Sequence, residues 1–132
     1  MMLQGRAIYK GQAEGEALVT PMGISFFGGV DSETGIVVER GHTLEGSSIA
    51  GKILVFPQGK GSTVGSYTLY RLKRNGLAPA AIVNAECETI TAVGCIIAEI
   101  PCIDQLPIDQ IHSGDILEID GSSVSTPDLR LP

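Results

Sequence analysis

The stretch that most restricts this chain is an apolar run, Ile53-Leu54-Val55-Phe56, followed by Pro57-Gln58-Gly59-Lys60-Gly61-Ser62-Thr63-Val64-Gly65-Ser66-Tyr67. Four apolar residues stopped by a proline read as a buried strand. No proline interrupts residues 63–75, cations gather at Arg71, Lys73 and Arg74, and Gly76 follows. That pattern predicts a helix over 63–75 with a basic last turn and a glycine stop. Ser62 or Thr63 is the natural N-cap. Val64, Tyr67, Leu69, Tyr70 and Leu72 form no single stripe, so this helix is expected to be covered on more than one side.

A strand, a glycine-rich turn and a helix start make a particular kind of mouth. Glycines let the backbone approach a ligand closely, and the first amides of a helix are unpaired and carry partial positive charge. Such a turn binds an anion or stabilises one that forms during a reaction. Three readings of Ser62 follow from the residues alone. It caps the helix, it belongs to a phosphate cradle, or it is a catalytic serine activated by the helix-start amides and Lys60. A nucleotide P-loop is excluded, because Gly59-Lys60 is followed by Gly61 and Leu54 stands where the first glycine is required.

Around this unit the second half predicts a buried strand at 80–84, a short helix at 86–94, an apolar strand at 95–100 and a polar-alternating strand at 115–120. Strand–helix alternation implies parallel pairing. The first half reads as strand-like runs at 5–10 and 16–20 joined by a hairpin at 11–15, with further apolar runs at 24–27 and 35–39. Between the last two, residues 28–35 have loop composition, and Asp31 there is either an Asx-turn residue or a site carboxylate. A length of 132 residues predicts one domain, α/β in class, with a loosely held tail at 122–132.

Composition removes several function classes. A net charge of −6, with nine dispersed Lys and Arg and no Trp, disfavours nucleic-acid binding. No apolar run approaches the ~18 residues of a membrane span. Cys87, Cys95 and Cys102 are odd in number, lack a CxxC, and lie mostly in apolar runs. They read as buried thiols of a reduced, cytoplasmic protein rather than as metal ligands. His42 and His112 fit no zinc pattern and read as loop or surface residues.

Three blocks together carry a family resemblance. They are Phe26-Phe27-Gly28-Gly29-Val30-Asp31-x-Glu33-Thr34-Gly35, then residues 59–67, then Asn75-Gly76-x-Ala78-Pro79 with Ile100-Pro101. They resemble the swivel-domain protein of the aconitase X family, over roughly residues 5–119. The resemblance implies a swivelling β/β/α domain like the last domain of aconitase, here a separate chain. It implies a larger partner subunit holding a 4Fe-4S cluster through its own cysteines, with none bound by this chain alone. In archaea such pairs resemble phosphomevalonate dehydratases, which convert 5-phosphomevalonate to trans-anhydromevalonate 5-phosphate. Bacterial relatives include dehydratases of cis-3-hydroxy-L-proline.

Carried over by motif, Ser62 matches the serine that aconitase-type enzymes use as general base. Lys60, Gly61, Thr63, Gly65 and Ser66 then surround the substrate, with Gly28, Gly29 and Asp31 from the other loop. The aconitase motif continues Ser-Ser-Arg, whereas this chain has Ser62-Thr63-Val64. The absent arginine argues against a tricarboxylate substrate. Two other classes compete: a non-catalytic scaffold, and a phosphohistidine carrier, which needs a histidine in the turn where this chain has Ser62 and Thr63.

Overall fold

The computed structural model describes residues 2–126. Eight strands form one sheet: β1 (Met2–Gln4), β2 (Arg6–Tyr9), β3 (Gln12–Val19), β4 (Ile53–Phe56), β5 (Ala81–Asn84), β6 (Cys102–Asp104), β7 (Ile116–Asp120) and β8 (Ser123–Ser125). Their order is β1-β8-β7-β3-β4-β5-β6-β2. The inner steps β3–β4, β4–β5 and β5–β6 are parallel, and every outer pairing is antiparallel. Helices α2 (Gly65–Arg74) and α3 (Thr89–Ala98) are the crossovers of the parallel unit, and α1 (Phe26–Gly29) is a single irregular turn.

All residues of β4 and β5 are buried, as strands with both faces covered require. Leu54, Phe56, Ile82 and Cys102 face the helices, joining Leu69, Leu72, Cys95 and Ala98. Ile53, Val55, Ala81, Val83 and Ile103 point the other way, where Leu117, Ile119 and Val124 of the antiparallel strands cover them. The layers are therefore antiparallel sheet, parallel sheet and helices, the expected β/β/α architecture.

Several local expectations are corrected. No hairpin forms at 11–15. Strand β2 pairs with β6 at one side of the sheet, whereas β3 lies between β7 and β4. Gly15 sits inside β3, where a Cβ would come within 3.0 Å of the Gly51 carbonyl oxygen, so this glycine serves a close backbone approach rather than a turn. The runs at 24–27 and 35–39 are not strands; Ile24, Ile36 and Val37 make only isolated bridges.

The predicted strand at 95–100 is mostly the second half of α3. Cys95 and Ala98 face the core while Ile96 and Ile97 are exposed, so a short apolar run carried a helical period that its length could not reveal. The strand follows it, as β6. In the predicted loose tail, β8 is paired on both sides, with β1 and β7; residues 127–132 of that tail lie outside the described residues.

Helix α2 buries Gly65, Ser66, Leu69 and Leu72 along one face. It is therefore covered on one side, not on several. Tyr67 is 70% exposed, and Val64 and Tyr70 are exposed too. Among the described residues no helix is long and apolar enough to cross a membrane.

Candidate functional site

The two helical crossovers leave the sheet at the carboxyl ends of β4 and β5. In open α/β sheets ligands gather outside that edge. The turn after β4 carries Gly59 to Thr63, and the turn after β5 carries Cys87 and Glu88.

The first turn is held from behind. The Lys60 amide donates to the Ile24 carbonyl at 2.9 Å, and the Gly59 amide donates to Glu88 Oε1 at 3.0 Å. Two of its glycines are dictated by geometry. A Cβ at Gly59 would lie 2.4 Å from both Glu88 Oε1 and Thr91 Oγ1. Gly61 has φ +91°, and a Cβ there would meet Ser25 Oγ at 2.4 Å, so both conformation and space require glycine.

Ser62 stands exposed beyond these anchors. Its Oγ accepts from the Val64 amide at 3.2 Å, and its carbonyl accepts from the Gly65 amide at 2.9 Å. The helix N-cap position is Val64, with no side-chain cap. Ser62 therefore closes a small serine turn one step before the helix, instead of capping it. Among the described residues, the amides of Gly61, Ser62 and Thr63 have no acceptor. Of the predicted activating groups only the Val64 amide reaches the hydroxyl. The Lys60 ammonium pairs with Glu39 Oε2 at 3.1 Å.

That ion pair joins the two candidate loops. Gly28, Gly29, Lys60 and Gly61 line one depression together with Ser25, Phe27 and Glu39. Beside it, a groove of about 400 Å³ runs along α2 between Gly28, Asp31, Val64, Tyr67 and Arg71. Among the described residues Arg71 makes no ion pair. Asp31 Oδ1 accepts from the Glu33 amide at 2.9 Å, so the Asx turn exists, and the same residue lines the groove. Thr63 lies on the far side, in a cleft between α2 and α3 with Ile90 and Val93. Ser66 is buried and its hydroxyl donates to the Ile90 carbonyl at 2.7 Å. This bond ties α2 to α3.

His112 is exposed, but His42 is 5% exposed and not a surface residue. Its Nδ1 accepts from the Leu44 amide and its Nε2 faces the Gly23 carbonyl at 3.0 Å, which braces the loop that precedes the depression.

Cys95 and Cys102 are fully buried, and the Cys87 and Cys102 sulfurs lie 3.9 Å apart. The hydrogen bond to Cys102 and burial push the Cys87 thiol up. For Cys102 the bond with Cys87 pulls down, but the bond with Cys95 and burial outweigh it, so this thiol is raised too. Raised thiols are poor ligands, since metals bind the thiolate. Among the described residues no group of three or more His, Cys, Asp or Glu side chains is placed to hold a metal ion. The described residues do not fit an iron–sulfur cluster.

Residues 2–126 match the family model of the aconitase X swivel domain. The chain belongs to that family. A relative named phosphomevalonate dehydratase small subunit, from Methanosarcina acetivorans, is 57% identical over 91% of this chain and 85% of its own length. One from Thermococcus kodakarensis with the same name is 52% identical over 93% of this chain and 92% of its own. The crystal structure of Thermococcus kodakaraensis aconitase X in its holo-form superposes with a TM-score of 0.95 at 48% identity, covering 97% of this chain and 99% of that one. The swivel-domain fold implied by the sequence blocks is thus the fold of the chain.

Sequence reasoning missed Glu39, Glu88 and Arg71. Glutamate is a weak N-cap by preference, and neither acid shares a motif with the turn it holds, so only the folded contacts expose them. In sequence, Arg71 is only one cation of a basic helix end.

Proposed function

We propose that this chain is the small subunit of a phosphomevalonate dehydratase, acting only with a larger subunit that carries a 4Fe-4S cluster. The observation that supports the reading most is the exposed Ser62 on a glycine turn whose neighbouring amides are unpaired, in a chain whose relatives bear that name along nearly their whole length. The substrate is 5-phosphomevalonate, and the product trans-anhydromevalonate 5-phosphate.

Dehydration needs a proton taken from carbon and a hydroxyl released. Ser62 takes the proton as its alkoxide and becomes the neutral hydroxyl. Serine is far too weak a base unless its alkoxide is stabilised, and amides fixed before the reaction do this without reorganising. The Val64 amide already points at Oγ, and the free amides of Gly61, Ser62 and Thr63 make the turn locally positive. Lys60 positions the Gly28-Gly29 loop through Glu39. Arg71 meets the anionic end of the substrate along the α2 groove. Lewis acidity toward the leaving hydroxyl comes from the large subunit's cluster when bound.

The exposed apolar residues around the groove, Phe27, Val38, Val64 and Tyr67, are the face that the large subunit closes, excluding water from the reaction. The test is reconstitution under anaerobic conditions. Either subunit alone should leave 5-phosphomevalonate unchanged and the pair should dehydrate it. A pair that dehydrates cis-3-hydroxy-L-proline instead, or a large subunit fully active alone, contradicts the proposal.

A further inference from the structure

Glu88 lies 26 residues after Ser62 in the chain, in the turn that follows the neighbouring strand. Its carboxylate faces two ways. Toward α3 it is the N-cap, accepting from the Ile90 amide at 2.7 Å and from the Thr91 amide at 3.2 Å. Toward the candidate site it accepts from the Gly59 amide at 3.0 Å. The space between Gly59 and α3 holds Glu88 Oε1 and the buried Thr91 Oγ1, which has no hydrogen-bond partner among the described residues. Both sit so close that any side chain at Gly59 would overlap them.

We infer that Glu88 is a positioning residue for Ser62: one carboxylate at the start of α3 fixes where the glycine turn leaves the sheet, and so where the serine hydroxyl stands. This rests on the reading of Ser62 as the base. The amides of residues 61–63 have no acceptor among the described residues, so Ser62 is held to α2 on one side by the Gly65 amide on its carbonyl and on the sheet side by the anchors at Gly59 and Lys60. A charged acceptor makes the Gly59 anchor the stronger kind of hydrogen bond. Since a displacement of about 1 Å at a reacting group lowers rates by about a hundredfold, a loosened anchor is expected to appear in kcat.

The capping and anchoring roles separate by length. Aspartate is a good N-cap, but one methylene shorter than glutamate. Glu88→Asp should keep α3 capped while dropping the Gly59 bond. In the chain paired with its large subunit, Glu88→Asp is expected to lower kcat ten- to a hundredfold, with KM within about threefold and melting within about 3 °C of the parent. In the full-length chain alone, the Gly59 amide should exchange with solvent at least ~10-fold faster while the Thr91 amide stays protected. Unchanged kcat, or a Gly59 amide as protected as in the parent, overturns the inference.

Should Glu88→Asp melt early, Glu88→Gln is read by the same two measurements, since an NH2 group replaces one of the two oxygens that accept separately from the Gly59 and Ile90 amides. Ser62→Ala and the double variant separate this inference from the one beneath it. If Glu88 acts through Ser62, adding Glu88→Asp to Ser62→Ala lowers kcat no further. If Ser62→Ala alone turns over normally, the serine reading fails, and the exchange rate of the Gly59 amide still decides whether Glu88 anchors the turn.

Discussion

Gly94 gives a test of the packing that brings the two crossover helices together. Helix propensity alone says that Gly94→Ala, in the interior of α3, stabilises by about 1 kcal/mol. The structure says the opposite. A Cβ at Gly94 would lie 2.5 Å from Leu69 Cδ1, 3.2 Å from Leu69 Cβ and 3.2 Å from the backbone Cα of Ser66. Carbon atoms pack best at about 3.5–4.0 Å. Leu69 is fully buried, so its side chain has no free space to swing into, and the Ser66 backbone yields only if α2 moves.

Overpacking of this kind costs about 1–3 kcal/mol. With the propensity gain subtracted, Gly94→Ala should fail to stabilise and instead cost up to about 2 kcal/mol. For a chain of 132 residues that is a fall of up to roughly 7 °C in Tm. Urea unfolding followed by circular dichroism measures it directly. A rise in stability of about 1 kcal/mol, the propensity value, would refute the close contact and with it the argument that α2 and α3 lock the site turns in register.

Two further outcomes follow from single side chains. Asp104 is fully buried; burial pulls its carboxyl up, but the Arg6 guanidinium, bonded at 2.9 and 2.8 Å, and the Cys87 amide outweigh that and hold it below its ordinary value of 3.8. Its contribution should be present above that value and lost as pH falls from there through the depressed folded value. The stability gap between the parent and Asp104→Asn in pH-resolved urea titrations should therefore close on acidification, and a gap that widens contradicts the pairing. Arg71→Met should raise KM for 5-phosphomevalonate at least ~10-fold with kcat within about threefold, because a charge clamp made equally in ground and transition states appears in KM; an unchanged KM moves the anionic subsite to the partner.

The legible part of this fold was the part built from local signals. The β4–turn–α2 unit is visible because a fully apolar strand, a proline stop, two glycines and a basic helix end each speak through neighbours in sequence. The same holds for β5 and β7. The β2–β6 edge pairing was not legible, because a lysine-glycine break after β2 looks like a hairpin whichever strand the next segment meets. Nor was the end of α3, where Cys95 to Ala98 is apolar throughout and its helical period appears only in which residues are buried.

In the site, Ser62, Gly61 and Lys60 could be named from the turn itself. The groups that hold them, Glu39 and Glu88, come from distant segments and obey no spacing. Ser66 is the reverse case: its place in the motif is legible, but its hydroxyl bond to the Ile90 carbonyl is not.

The proposed dehydration turns on whether one serine, Ser62, takes a proton from carbon. Ser62→Ala, assembled with its large subunit and given saturating 5-phosphomevalonate, measures this most directly. A well-placed base contributes about 10²–10⁴ in rate, so turnover should drop at least a hundredfold while the two subunits still co-elute. Turnover near that of the parent pair would mean that some other group removes the proton.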